Sequence, residues 1–90
     1  MAVETHTYSD LDDTWDAANR FTAVADVDVD LSNSRAYFLF FVITGTDALP
    51  AIPVRDARPI SPMAAEQMQL QTGDRLWVAG KGASALLMTG

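Results

Sequence analysis

The sequence contains no cysteine, one histidine, and half as many basic as acidic residues. The absence of cysteine excludes disulfides, thiolate nucleophiles and cysteine-ligated zinc or iron-sulfur sites. His6 lies close to the start of the chain and is poorly placed to serve as the base of a Ser-His-Asp site, which needs a formed pocket. No serine has a base nearby in sequence. We therefore predict a protein that is not an enzyme and that needs neither a cofactor nor a metal.

Long hydrophobic runs are also absent. The longest uncharged apolar run, residues 36–43, has eight residues, whereas a membrane-spanning helix needs about 20. The first residues offer neither the basic flank nor the apolar stretch of a signal peptide. We expect no membrane partner and a chain that is made and folded inside a cell.

The net charge of -6 makes nucleic acid an improbable partner, because binding to phosphates needs a basic surface. This charge is unevenly distributed. Residues 1–30 carry Arg20 as their only basic residue, whereas the other sixty residues are nearly neutral. The acidic residues of this first part are Glu4, Asp10, Asp12, Asp13, Asp16, Asp26, Asp28 and Asp30. The pattern predicts an acidic N-terminal arm, residues 1–22, followed by one domain, residues 23–90.

The conformation of the arm has two alternatives. Residues 9–12 look like a helix N-cap with acids in the first turn, and Leu11, Trp15 and Ala18 follow at helical spacing. Several residues between them are weak helix formers, however. The arm is therefore either partly helical or extended, with Trp15 packed against the body.

From residue 23 onward the sequence reads as β-structure. Residues 26–31 alternate strictly between aspartate and an aliphatic side chain, the signature of a half-buried strand. Clusters of Ser, Asn and Gly at 32–34, 72–74 and 80–82 predict turns, and the first of these predicts a hairpin between the strands on either side. Four prolines interrupt residues 50–62 and leave room for an edge strand only. The further strands are predicted at 35–44, 51–55, 66–71, 75–79 and 83–89. The fold class is therefore all-β, a small antiparallel β-sandwich or barrel of about six strands.

Two features that resemble ligand sites are more simply explained as surface. Asp26, Asp28 and Asp30 lie on one strand face, about 6.6 Å apart at a rise of ~3.3 Å per residue. A calcium ion would need further oxygens from a loop, for instance from Asp47, so the pattern favours a solvated face. Residues 80–82, Gly-Lys-Gly, lack the rest of a phosphate-binding loop and indicate a turn.

The strand at 35–44 is apolar on both faces. Tyr37, Leu39, Phe41 and Ile43 alternate with Phe38, Phe40 and Val42. Such a strand must be covered twice. One cover is a second sheet; the other is either the proline-containing loop or the arm, or else another subunit. Trp77 can be a core residue, an interface anchor or a ring that stacks on a sugar. The residues predicted to form a subunit or partner interface are Tyr37, Leu39, Phe41, Ile43 and Trp77.

Three features together resemble a known protein class. They are Trp15, the Val-rich strand 27–33 that ends in a polar turn, and residues 73–80, which read Gly-Asp-x-Leu-Trp-Val-x-Gly. This arrangement resembles the small β-sandwich accessory proteins of tailed-phage virions, over about three quarters of the chain. The resemblance implies a multicopy structural protein, often trimeric, that decorates the capsid or belongs to the head-tail or tail apparatus.

We therefore expect a non-enzymatic virion protein, most simply a capsid decoration or cement protein. Its expected partners are further copies of itself, as a homo-oligomer and in the simplest case a trimer, and other virion proteins such as the major capsid protein. It would be made in the host cytoplasm and would end in the virion. The alternative is a β module that binds a carbohydrate or another small ligand through Trp77 and Tyr37.

Overall fold

Alternating polar and apolar residues form two antiparallel sheets of four strands each, and the apolar faces of the two sheets pack against each other. The structure is a computed structural model that describes residues 4–90. The all-β prediction is confirmed, with eight strands instead of about six. Two short 3-10 helices occupy Ala17–Asn19 and Val54–Asp56. The strands are β1 Glu4–Tyr8, β2 Arg20–Thr22, β3 Val27–Asn33, β4 Leu39–Thr44, β5 Arg58–Ile60, β6 Ala65–Leu70, β7 Arg75–Ala79 and β8 Ala85–Thr89.

The chain crosses between the two sheets at nearly every turn. The first sheet has the order β1-β8-β3-β6 and the second has the order β2-β7-β4-β5. Only β4 and β5 are consecutive strands in the same sheet. The predicted hairpin between β3 and β4 is therefore wrong: β3 pairs with β6 and β8, whereas β4 pairs with β5 and β7. Turn residues specify that the chain reverses, and the apolar inner face of each strand decides which sheet it joins.

The core lies between the sheets and is built from the inward residues of alternating strands. In β3, Val29 and Leu31 are buried, whereas Asp28 is exposed on the outer face. In β4, Leu39 and Phe41 are buried at 0% and 6% exposure. The predicted alternation is therefore confirmed in both strands. Other members of the core are Leu11, Ala23, Ile60, Leu70, Leu76, Val78, Ala83, Ala85 and Leu87.

Asn33 ends β3 and fixes the crossing to the second sheet. Its side chain is buried, and its Nδ2 donates to the carbonyl oxygens of Tyr37 at 2.6 Å and of Ile60 at 3.0 Å. Its Oδ1 accepts a hydrogen bond from the backbone N–H of Arg35 at 3.2 Å. A buried amide that satisfies several backbone groups is costly to replace. Asn33, which the sequence predicts as part of a turn, therefore links the two sheets through its buried amide.

The stretch predicted as an acidic arm, 1–22, contributes a strand to each sheet within its described residues. β1 pairs with β8, and β2 pairs with β7. Residues 9–12 do not begin a helix: Asp10 has a positive φ of 54°, and the N–H of Leu11 donates to the Ala83 carbonyl at 2.9 Å. Of the two alternatives for this stretch, the largely extended one is observed. Residues 1–3 of the predicted arm lie outside the described residues.

The edge strand predicted at 51–55 is not a strand. Pro53 removes a backbone donor, and the segment instead forms a loop that ends in the 3-10 helix Val54–Asp56. The edge strand lies farther along, at β5, where Pro59 is tolerated because an edge strand can leave one side without hydrogen bonds.

Candidate functional site

The outer face of the second sheet is apolar at its centre, is flanked by Arg20 and Arg75, and is covered by residues 45–57, which we call the proline strap. Register places Phe40 beside Ala79 and Val42 beside Trp77 on this face. Trp77 and Ala79 have 0% exposure, and Val54 of the strap is also buried. The second cover of β4 is therefore supplied within the chain by the proline-containing loop, one of the alternatives open from the sequence.

Trp77 is enclosed on this outer face. Its Nε1 donates to Thr44 Oγ1 at 2.9 Å, and the guanidinium carbon of Arg20 lies 5.1 Å from the ring centroid. The distance and the cation fit a cation-π contact. With no exposed surface, the ring cannot stack on a sugar, so the interpretation of Trp77 as a stacking residue is corrected.

One end of the proline strap is fixed by two arginines. The Asp47 carboxylate accepts a hydrogen bond from Arg75 Nε at 2.9 Å and lies 3.5 Å from an Arg20 terminal nitrogen. Arg75 also donates to the carbonyl oxygens of Gly45 and Gly73. The hydrogen bond and the positive charge of Arg75 hold the pKa of the Asp47 carboxyl below its ordinary value of 3.8. Asp47 thus joins the strap to β2 and β7.

This ion pair predicts a pH-dependent stability difference. Because the pKa of Asp47 is lowered in the folded state, its contribution is present above pH 3.8 and is lost as the pH falls through the folded pKa. We expect the Tm of Asp47→Asn to lie slightly below that of the wild type at neutral pH, and the two to converge under acid. The effect is small because the carboxylate is exposed. Thermal melts of both proteins, from neutral pH to below pH 3.8, measure this difference in Tm. A difference that does not change with pH would contradict the ion pair between Asp47 and the two arginines.

The middle of the proline strap is fixed by Trp15. The indole Nε1 donates to the Ile52 carbonyl oxygen at 2.7 Å. Pro50 and Pro53 stand on either side of this bond, and Pro53 has φ -61° and ψ 147°, close to polyproline II geometry. The two residues between the prolines form bends, and a 3-10 helix follows at Val54, so the indole holds a bent loop against the body of the protein.

A groove of about 730 Å³ lies between the proline strap and the residues that lead into β4. Its aromatic wall consists of Trp15, Tyr37, Phe38 and Phe40. We call it the aromatic groove. Tyr37 and Phe38 are 58% and 52% exposed, and Leu49 of the strap is 63% exposed. The charged residues in the lining are Asp13, Arg55 and Lys81.

Glycines in the turn 80–82 hold this aromatic wall in place. Gly82 has a φ of 77°, and a Cβ there would lie 3.2 Å from the Tyr37 ring. Gly80 has a φ of 144°, and a Cβ there would lie 2.5 Å from the Phe38 carbonyl oxygen. Both positions combine a backbone conformation that favours glycine with a close approach. The turn therefore serves as a backing for Tyr37 and Phe38.

The five residues predicted as an interface occupy three different places. Leu39 and Phe41 lie between the sheets, Trp77 lies beneath the proline strap, and only Tyr37 and Ile43 retain substantial exposure, 58% and 40%. Of these two, Tyr37 lines the aromatic groove. The sequence interpretation missed Trp15, Phe38, Leu49 and Ile52 as a surface. The feature of the sequence that could have indicated this surface was the position of Pro50 and Pro53 beside apolar residues.

The aspartates of β3 and its approach do not converge. Asp26 accepts hydrogen bonds from the N–H and hydroxyl of Thr72, at 2.9 and 3.1 Å, whereas Asp28 is exposed. Asp30 lies between Gln67 and Met88 of the neighbouring strands. Within residues 4–90, no three His, Asp or Glu side chains are grouped so that they could hold a metal ion.

Comparison of the chain with family models, with curated proteins and with solved structures found no match. Among the helices of the described part of the chain, none is long and apolar enough to cross a membrane.

Proposed function

We propose that this protein is a non-enzymatic structural component of a phage virion, most simply a capsid decoration protein, and that it attaches to the particle through the aromatic groove. The observation that carries the proposal is the group of exposed aromatic and aliphatic side chains around this groove. Tyr37, Phe38 and Leu49 are each more than half exposed. Clustered exposed apolar residues of this kind mark interaction surfaces.

The groove is suited to binding because its walls are already formed. Tyr37 rests against Gly82, the Phe38 backbone rests against Gly80, and Trp15 is oriented by its hydrogen bond to Ile52. Aromatic side chains supply large contact areas with few rotatable bonds, so little conformational entropy is lost when a partner binds. A preformed aromatic wall therefore favours recognition of another macromolecule.

The resemblance to virion accessory proteins supports the more specific part of the proposal. Of the features that carry it, Trp15 forms part of the groove wall and Gly80 belongs to its lining, whereas strand 27–33 lies in the first sheet. The proposed location is the virion, after synthesis in the host cytoplasm.

Self-association is the second part of the proposal. Ile43 is 40% exposed outside the groove, and each sheet ends in outer strands, β1 and β6 in one and β2 and β5 in the other. Unpaired strand edges and exposed aliphatics are surfaces on which copies can associate. We expect light scattering to give a mass that is a multiple of 9.7 kDa, in the simplest case a trimer. A sharp monomer at micromolar concentration would contradict self-association and leave attachment through the groove unaffected.

The virion assignment is tested on purified particles. Particles of the phage that encodes this chain are banded in a density gradient, and the chain is quantified by mass spectrometry in each fraction. We expect it to band with the major capsid protein at many copies per particle. Recovery only in the soluble fractions at the top of the gradient would contradict the proposal.

A small-ligand module is the second candidate, because the volume of about 730 Å³ falls within the ~300 to 1,000 Å³ typical of ligand sites. Stacking would then involve Tyr37 and Phe38 instead of the enclosed Trp77. Saturable binding of a soluble oligosaccharide that perturbs Trp15 fluorescence would favour this candidate.

A further inference from the structure

We propose that the proline strap is a lid kept closed by two side-chain latches, and that it opens while both sheets stay paired, exposing the outer face of the second sheet around Trp77. The inference goes beyond the proposed function, because it concerns a movement built into the fold and does not depend on a role in a virion. Two observations carry it: how the strap is bonded to the rest of the chain, and what it covers.

The proline strap differs from other loops in how its backbone is bonded. Within the described residues, the only backbone–backbone hydrogen bonds of residues 45–57 are two that lie inside the strap, at its 3-10 helix. The turns 71–74 and 80–83, by contrast, form backbone hydrogen bonds to distant segments, at residue 23 and at residues 11–12. A segment without such bonds can leave the body of the protein at a lower free energy than global unfolding requires.

Side chains of the body supply the two latches. In the first, Trp15 Nε1 donates to the Ile52 carbonyl oxygen at 2.7 Å. In the second, Arg75 Nε donates to the Asp47 carboxylate at 2.9 Å, and a terminal nitrogen of Arg20 lies 3.5 Å from that carboxylate. Neither latch includes a hydrogen bond between strands. Both latches can therefore break while the two sheets remain intact.

The centre of the face beneath the strap is apolar. Trp77 and Ala79 have 0% exposure on the outer side of β7, and their neighbours on β4 are Val42 and Phe40, which are half-buried. Phe40 also lines the aromatic groove. Opening of the strap therefore joins this face to the groove and presents a wider apolar surface than the closed protein does. Apolar surfaces of this kind bind other macromolecules, so the strap controls access to an interaction surface.

The indole N–H of Trp77 reports whether the strap is closed. It donates to Thr44 Oγ1 at 2.9 Å, and the Thr44 hydroxyl in turn donates to the carbonyl oxygen of Thr46, in the strap, at 3.0 Å. A buried, hydrogen-bonded N–H exchanges with solvent when an opening exposes it. The exchange rate of this proton therefore measures how often the strap is open.

The test follows hydrogen exchange by NMR in the intact protein, at the Trp77 indole and at the backbone amides of β3 and β8, which report global unfolding. We expect the indole proton to be about tenfold or more less protected than the slowest of these amides. Its exchange should also respond little to low concentrations of urea, because lid opening exposes little surface. Equal protection with an equal urea dependence would show that only global unfolding exposes Trp77, and would overturn the proposal.

A matched pair of variants tests the first latch. Trp15→Phe keeps an aromatic ring and removes the N–H, and we expect it to speed Trp77 indole exchange about fivefold, as for the loss of one hydrogen bond. Tyr8→Phe also removes one polar hydrogen from an aromatic ring, but in the first sheet, and should leave that rate unchanged. An unchanged rate in Trp15→Phe, or an equal acceleration of the β3 and β8 amides, would overturn the lid.

The second latch is tested by Asp47→Asn, with the exposed Asp28→Asn on the other sheet as its control. We expect Asp47→Asn to speed Trp77 indole exchange about twofold at low salt and less at high salt, because salt screens the ion pair that it removes. Asp28→Asn should leave the rate at its wild-type value. Equal rates in the two variants at low salt would overturn the assignment of Asp47 as a latch.

Discussion

Replacement of Phe41 by aspartate is expected to unfold most of the protein at neutral pH. Phe41 is 6% exposed between the sheets, and on β4 it pairs with Val78 of β7. The substitution removes a large core ring, which costs about 3 to 5 kcal/mol, and it buries a carboxylate that has no partner. A domain of this size is stable by only ~5 to 15 kcal/mol. The far-ultraviolet circular dichroism signal and the thermal melt should therefore show loss of the cooperative transition.

The matched control is Asp28→Asn on the outer face of the other sheet. Asp28 is exposed and lies between Asp26 and Asp30, so neutralising it relieves repulsion by a few tenths of a kcal/mol at most. Its Tm should match that of the wild type. A Phe41→Asp protein that melts at the same temperature as Asp28→Asn would show that β4 does not turn this face into the core.

Gly80→Ala is expected to have the second largest effect, although it adds a single methyl group. The new Cβ would lie 2.5 Å from the Phe38 carbonyl oxygen, at a φ of 144°. Backbone atoms cannot yield as a flexible side chain does, so either the turn or the entry to β4 must shift. We expect a loss of about 2 to 4 kcal/mol in the free energy of unfolding, measured by urea titration.

Gly45→Ala is the control for this substitution. A Cβ at Gly45 meets nothing within 4 Å and needs no unusual φ. The exchange should be neutral or stabilise by up to about 1 kcal/mol, because alanine restricts the unfolded chain. Equal urea midpoints for the two alanine variants would contradict the close packing of the turn 80–82 against the aromatic wall.

Part of the fold could be predicted because some strands carry their own signal. β3 alternates aspartate with aliphatic residues, and β7 is bounded by glycine turns, so both were placed from local pattern. β1 was missed because its polar sequence, Glu-Thr-His-Thr-Tyr, gives no apolar alternation. It is a strand because it pairs with β8 along five residues, a long-range contact that a local pattern does not report.

The pairing of strands could not be predicted from the sequence for a related reason. A short turn fits a hairpin and a crossing between sheets equally well, and the choice here depends on the buried bonds of Asn33 to Tyr37 and Ile60. The faces of β4 were assigned correctly, with Leu39 and Phe41 on one side. What covers each face was left open, and only the packing of the proline strap settled it.

The aromatic groove could likewise be predicted only in part from the sequence. Trp15 and Ile52 are 37 residues apart, and no local rule joins them. The sequence shows a proline-containing loop and aromatic residues elsewhere, but it does not show that they meet. The exposure of Phe38 and the burial of Trp77 are likewise consequences of tertiary structure, which is why the predicted interface set mixed core and surface residues.

The most direct test of the account measures how many copies of the protein remain on banded virions when the groove is altered. Phe38→Ser changes the exposed wall, and Ile43→Ser changes an equally apolar, exposed position outside it. With both variants folded, the account predicts wild-type copy numbers for Ile43→Ser and strong depletion for Phe38→Ser. Undiminished copies of Phe38→Ser on the particles would contradict attachment through the groove.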